Sequence, residues 1–239
     1  MESGSSERGG AGAAARTEDT RANASGKIFY ISPQRCGTKS FSQFFRRNGY
    51  TAASWNETAR NQWPLASLEG RFKDILDSED FRSHTVFEDG PWYHPPLFKY
   101  LYWTFPDARF VYFSRPVEDW LKSMKSHSKG FAPGDPKRHS MVYDRLSDYY
   151  ALLDAGVEPQ LRIEGAEEIY VRAFNNHRLQ VRAFFEDKPA DRFFAGELYD
   201  ADKFAKLGKA WGLSFDSSAD VHIHKSGAPF ARDFANERD

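Results

Sequence analysis

The chain of 239 residues carries 33 Lys and Arg against 34 Asp and Glu, a formal charge of -1. No global basic field therefore draws it to nucleic acid or to an anionic membrane, and any anion site has to be local. Its single cysteine, Cys36, excludes an intrachain disulfide, a CxxC redox pair and a multi-cysteine zinc site, and points to a reducing, cytoplasmic setting.

Residues 1–26 are Gly, Ala, Ser and charge without periodicity. They hold too little apolar surface to offset the entropy of ordering, so a disordered N-terminal tail is expected. Glu2, Glu7, Glu18 and Asp19 are out of place in a transit peptide, and no apolar stretch marks a secretory signal. No run approaches the roughly 18 consecutive apolar residues of a membrane span, so no membrane insertion is expected. The folded part, 27–239, has a length that suits one domain, and its many Phe supply core material.

That domain opens with Lys27 to Ser32, an apolar run too short for a helix. A turn follows, then an amphipathic segment from Thr38 to Asn48 that Gly49 would cap. Further strands are predicted at His84–Phe87, Arg109–Phe113 and Arg192–Ala195. Helical spacing marks Leu65–Leu76, Pro95–Thr104, Val117–His127, Met141–Leu153, Glu164–Phe185 and Ala201–Trp211. Alternating strands and helices predict an α/β fold in three layers, a parallel sheet flanked by helices on both faces. Ligands of such sheets sit at the carboxyl ends of the strands, here after Ser32 and after Ser114.

After Ser32, the turn "SPQRCGTKS" places Gly37–Ser42 at a helix N-terminus, where exposed N–H groups and the helix dipole favour an anion. Arg35, Thr38, Lys39 and Ser40 add side-chain donors. Against the nucleotide-binding pattern G-x-x-x-x-G-K-[ST], the window Pro33–Ser40 matches at Lys39 and Ser40 but has Pro33 and Thr38 where the glycines belong. A phosphatase reading of Cys36 needs an arginine six residues on, and Ser42 stands there. An ordinary strand-to-helix turn is the remaining alternative. Beside Arg35 at a helix N-terminus, the Cys36 thiolate is expected to be favoured.

After the third predicted strand, Arg115 stands at the strand end and Ser123 eight residues later, about two helical turns on, with Pro116 suited to the first turn. A strand-end arginine offers a planar fork to a phosphate; alone, Arg115 pairs as readily with Glu118 or Asp119.

Together the two loops resemble the sulfotransferases that use 3'-phosphoadenosine 5'-phosphosulfate (PAPS), especially their bacterial P-loop group. The first loop of that family reads P-[KR]-x-G-T-[TS]-[SW], and Gln34 to Ser40 fits it with Gln34 for the proline and Lys39 for the second threonine. "EDGPWYHPPLFKYLYWTFPDARFVYFSRPVEDWLKS" is similar to the bacterial D-x-P and F-P-D-A-[KR] run, with its R-x-P-x-x-W-x-x-S ending. The likeness continues through "NNHRLQVRAFF" and "LYDADKFAKLGKAWGL", so it spans most of Lys27 to Leu213.

The resemblance implies a P-loop-type fold and transfer of a sulfuryl group from PAPS to a hydroxyl or amine of a small-molecule, carbohydrate or lipid acceptor, with no metal. By the same resemblance Arg35, Cys36, Gly37, Thr38, Lys39 and Ser40 hold the 5'-phosphosulfate, Cys36 through its backbone only, and Arg115 and Ser123 hold the 3'-phosphate. Arg35 falls to the bridging oxygen and leaving phosphate. Asp89, two residues before Pro91, falls where the family carries its base; Glu88, pointing to the other face if the strand continues, and His94, whose ordinary titration range suits the task, are alternatives. Lys225 and Gly227 resemble a segment that closes over the 3'-phosphate, and His222 and His224 beside them make no metal site. Trp92, Tyr93, Trp103, Trp120 and Phe131 are candidate walls for a planar group, and Lys129–His139 a candidate lid. The rival readings are a P-loop kinase using ATP and Mg2+ and a non-catalytic module that binds PAPS or its product.

Overall fold

The computed structural model describes residues 26–128, 163–213 and 215. Strand β1 (Ile28–Tyr30) reads Ile-Phe-Tyr and is buried throughout, as a strand covered on both faces requires. It lies at the centre of a sheet of order β2-β3-β1-β4-β5, with β2 at Ala52–Ala53, β3 at Val86–Phe87, β4 at Arg109–Ser114 and β5 at Phe193–Glu197. Every pairing is parallel, and Ile28 stands opposite Val86 on one side and Arg109 on the other.

Alternation along these strands divides the core into two halves. Phe29, Ile31, Phe87, Phe110 and Tyr112 share one face. It is covered by α3 (Trp63–Leu68), α4 (Phe72–Asp77), α5 (Glu79–Ser83), α6 (Pro95–Thr104) and α8 (Glu167–Phe185). Ile28, Tyr30, Val86, Val111 and Phe113 share the other, which packs on α1 (Thr38–Arg47) and α9 (Lys203–Trp211). These are the three layers that the alternation of elements predicts. Two further helices, α2 (Trp55–Arg60) and α7 (Val117–Ser128), complete the described helices. Among the described residues, no helix is long and apolar enough to cross a membrane.

The structure differs from the sequence expectation where local signals are short. The helix expected over Leu65–Leu76 is two helices, α3 and α4, because Gly70 adopts φ 72° and breaks the repeat between them. There the Arg71 N–H turns back to the Ala66 carbonyl at 2.8 Å. Strand β2 has only two alanines, too few for a periodicity. Residues 1–25, the expected helix Met141–Leu153, the candidate lid and the segment holding Lys225 lie outside the described residues.

Phe29 is fully buried and packs with ring centroids 5.1 Å from Phe87, 5.4 Å from Phe110 and 5.5 Å from Trp92. It thereby joins β1 to β3, to β4 and to the turn before α6. Phe29→Ala should lower stability by about 3–5 kcal/mol, with Phe29→Leu losing clearly less. Chemical denaturation measures both, and a loss below ~1 kcal/mol for the alanine variant would remove Phe29 from the centre of the core.

Candidate active site

The loop between β1 and α1 is fixed by its carbonyls. Tyr30 Oη donates to the Cys36 carbonyl, Trp120 Nε1 to that of Gln34 at 3.0 Å, and Arg115 Nη1 to that of Arg35. The buried Ser32 hydroxyl accepts from the Phe113 N–H at 2.8 Å, tying the start of the loop to β4. Three consecutive carbonyls are thus turned toward donors outside the loop.

The loop ends at the N-terminus of α1. Gly37, the N-cap, has φ 88° and caps the helix with no side chain, and the first turn contains no acidic residue. A helix start left without a carboxylate, at the positive end of the dipole, suits an external anion. A Cβ at Gly37 would stand 2.5 Å from Leu198 Cδ1, so both conformation and space call for glycine here. Arg35 also has a positive φ, 68°.

The two anion motifs read from the sequence meet. Arg35 Nε donates to Ser123 Oγ at 3.0 Å, although 88 residues separate them. Ser123 is buried on α7, and Arg115 holds the Arg35 backbone from the end of β4. Arg115 Nε is buried with no hydrogen-bond partner, and its guanidinium lies 5.8 Å from the Tyr199 ring centroid. The alternative pairing of Arg115 with Glu118 or Asp119 is not formed; Asp119 instead accepts from Tyr199 Oη at 3.0 Å. Tyr199 and the loop anchor Tyr30 were not singled out in the sequence, where the one reads as a surface tyrosine and the other as core.

Asp89 follows β3 in a turn at φ 72° and is half-buried. Burial raises its carboxyl above the usual range, against the Gly90 N–H and the charges of Arg35 and Lys39. Its neighbour Glu88 is buried, with Oε2 unpartnered. Burial, then the Asp89 charge, pushes Glu88 up to about 8, opposed by Ser42, Arg46 and Lys39. Lys39 is exposed.

Two expectations are corrected. Cys36 is fully buried against Trp120, Met124, Ile163 and Phe174, and burial pushes its thiol up to about 12, outweighing Arg115 and Arg35. The thiolate is disfavoured. His94 does not titrate near neutrality: burial, with His177 nearby, lowers it to about 4, and its Nδ1 lies 3.1 Å from Ser67 Oγ. Of the candidate aromatic walls, Trp92 is in the core, Trp120 lies under the loop and Trp103 is an exposed residue of α6 beneath Lys188. Tyr93 is raised by burial and by the Asp89 charge, against a hydrogen bond with Gln34. Lys225 and Phe131 lie outside the described residues. Among the described residues, no group of three or more His, Cys, Asp or Glu is placed to hold a metal ion.

Gly37→Ala should destabilise the protein by about 1–2 kcal/mol from its backbone angle alone, plus the cost of displacing Leu198. Adding Leu198→Ala should relieve the steric part and leave the backbone part, as denaturation midpoints of the single and double variants will show. A thiol reagent should modify Cys36 only at the rate of unfolding; fast alkylation of the native protein contradicts its burial.

A family model described as a sulfotransferase domain matches residues 27–209. No curated protein matches the chain. Among solved structures, the sulfotransferase domain from the curacin biosynthetic pathway is 11% identical, with a TM-score of 0.43 over 81% of this chain and 76% of that one. A sulfotransferase from Alicyclobacillus acidocaldarius is 13% identical, with a TM-score of 0.43 over 83% of this chain and 86% of that one. On the family match, which covers every strand of the sheet and both anion motifs, the chain belongs to the sulfotransferase domain family.

Proposed function

We propose that the protein moves the sulfuryl group of PAPS to a hydroxyl or amine of a small-molecule, carbohydrate or lipid acceptor. One observation carries this reading: Arg35 donates to Ser123 while Arg115 holds the Arg35 carbonyl, so two anion motifs lie in one site. A donor with a 5'-phosphosulfate and a separate 3'-phosphate needs two such groups side by side. A triphosphate needs a single glycine-rich cradle and a magnesium ligand, and this loop has Pro33 and Thr38 in place of the glycines.

In this reading Gly37, Thr38 and Ser40, with the Cys36 backbone, hold the phosphosulfate at the start of α1, and Lys39 adds charge at its exposed side. Arg115 and Ser123 hold the 3'-phosphate, for which the unpartnered Nε of Arg115 supplies a donor. Lys225 is assigned to the same phosphate on the family likeness. Transfer runs in line. The acceptor oxygen bonds to sulfur, the bond from sulfur to the bridging oxygen breaks, and its electron pair stays on the leaving phosphate, where Arg35 neutralises the charge. The acceptor proton passes to Asp89, which has to be ionised to take it. His94, neutral across the physiological range, is the second candidate for the proton. We assign the whole of this chemistry to one domain, 27–239, preceded by a tail.

Calorimetry should show binding of 3'-phosphoadenosine 5'-phosphate and not of ATP with Mg2+, and Arg115→Ala should weaken that binding by about 10- to 150-fold, the equivalent of roughly 1.5–3 kcal/mol for a charge-assisted hydrogen bond. Arg35→Ala with intact fold and full turnover would remove the assignment of the leaving-group charge. Asp89→Asn should lower kcat by about 10²- to 10⁴-fold with product affinity retained. In the wild type kcat/KM should fall as pH drops through a limb above the ordinary aspartate range, because protonation removes the base. Undiminished turnover in Asp89→Asn moves the role to His94 or Glu88. Mass spectrometry of extracts incubated with the protein and labelled PAPS identifies the acceptor; product binding without transfer to any acceptor would leave a binding module.

A further inference from the structure

Among the described residues, Glu88 is the only buried acid. It stands at the end of β3 against α1, immediately before Asp89, and its surroundings are built for a carboxylic acid, not for a carboxylate. An ionised group there would need its charge paired and its oxygens satisfied. Oε2 has no partner. Arg46, a neighbouring cation of α1, donates Nη2 to the Ala52 carbonyl at 2.8 Å. Ser42, the hydroxyl beside Glu88, has a single proton: donated to the Lys39 carbonyl at 3.2 Å it leaves Glu88 an acceptor, and turned to Glu88 it is the one neutral hydrogen bond that favours the carboxylate, too little to offset burial. The other titratable groups acting at this point are Lys39 on α1, Asp89 on the adjoining turn and Tyr30 on β1, the last buried and held protonated by that burial.

We infer that Glu88 is a protonated positioning residue, whose carboxyl proton faces the Ser42 hydroxyl beneath the first turn of α1 and whose neutrality leaves Asp89 as the single charged carboxylate at the anion site. The inference rests on the donor site proposed above. Ser42 passes the constraint to the Lys39 carbonyl, so Glu88 acts on the anion-binding turn without touching the anion. Loss of the proton puts a negative charge behind the positive end of α1. It also draws on Lys39, which then has two anions to serve, and the donor site weakens. The direction follows from the sign of the charge: ionisation comes as pH rises, so affinity for an anionic nucleotide falls on the alkaline side. Burial places that titration at about 8, within reach of ordinary buffers.

The test is calorimetric titration of the full chain with 3'-phosphoadenosine 5'-phosphate from pH 7 to pH 9.5, for the wild type and Glu88→Gln, whose amide mimics the neutral acid. Through its titration the wild type should lose affinity with a slope of at most about tenfold per pH unit, the limit for one ionising group, whereas Glu88→Gln should show no such slope. Infrared difference spectra of the wild type between the two pH limits should show loss of a protonated carboxyl band that Glu88→Gln lacks. An equal slope in both proteins, a flat wild type, or no protonated carboxyl at pH 7 overturns the inference. If the wild type binds no 3'-phosphoadenosine 5'-phosphate at pH 7, the donor reading fails. The infrared band then decides the state of Glu88 by itself, and its absence overturns the inference.

Discussion

The hydrogen bonds that claim the carbonyls of Gln34, Arg35 and Cys36 are the constraint on which the carboxyl edge of the sheet depends. Trp120 from α7, Arg115 from the end of β4 and Tyr30 from β1 each supply one donor. With its oxygens engaged outward, the turn can present N–H groups to an anion at the start of α1. Arg115 supports the loop through Nη1 and keeps its buried Nε without a hydrogen-bond partner. In the proposed function that same side chain would serve both scaffold and donor.

Beneath the loop, the core gives these donors fixed positions. Phe29 and its ring contacts hold β1, β3 and β4 in register on one face. Tyr30 packs on Phe41 of α1 on the other, with ring centroids 4.4 Å apart. A small third cluster around Trp120, which stacks on Phe174 at 4.4 Å, ties α7 to α8 directly under Cys36. The aromatic content noted in the sequence is thus mainly structural. Trp92, a candidate wall for a planar group, is one of the fully buried side chains.

What was legible in the sequence was whatever rested on long periodicity or on paired spacing. The three-layer sheet followed from alternation of elements, and the two loops at its carboxyl edge followed from strand ends at Ser32 and Ser114; the hydrogen bond from Arg35 to Ser123 has no signature in the sequence. Short elements were not legible, because two alanines in β2 carry no period and Gly70 interrupts one that otherwise looks continuous. Titration was the least legible property. His94 and Cys36 have ordinary intrinsic values, and only burial, a tertiary quantity, moves them to about 4 and about 12. A helix N-terminus and a neighbouring arginine both argue for a thiolate, but neither compensates for complete removal from water.

The sealing of Cys36 also bears on how such a site tolerates its surroundings. It is the only cysteine in the sequence, it sits inside the loop assigned to the donor, and its sulfur is enclosed by Trp120, Met124, Ile163 and Phe174. A peroxide or a disulfide reagent needs a thiolate it can reach. Here it meets neither charge nor access, so oxidative conditions that attack exposed thiolates should leave the Cys36 sulfur, and the loop around it, as they were.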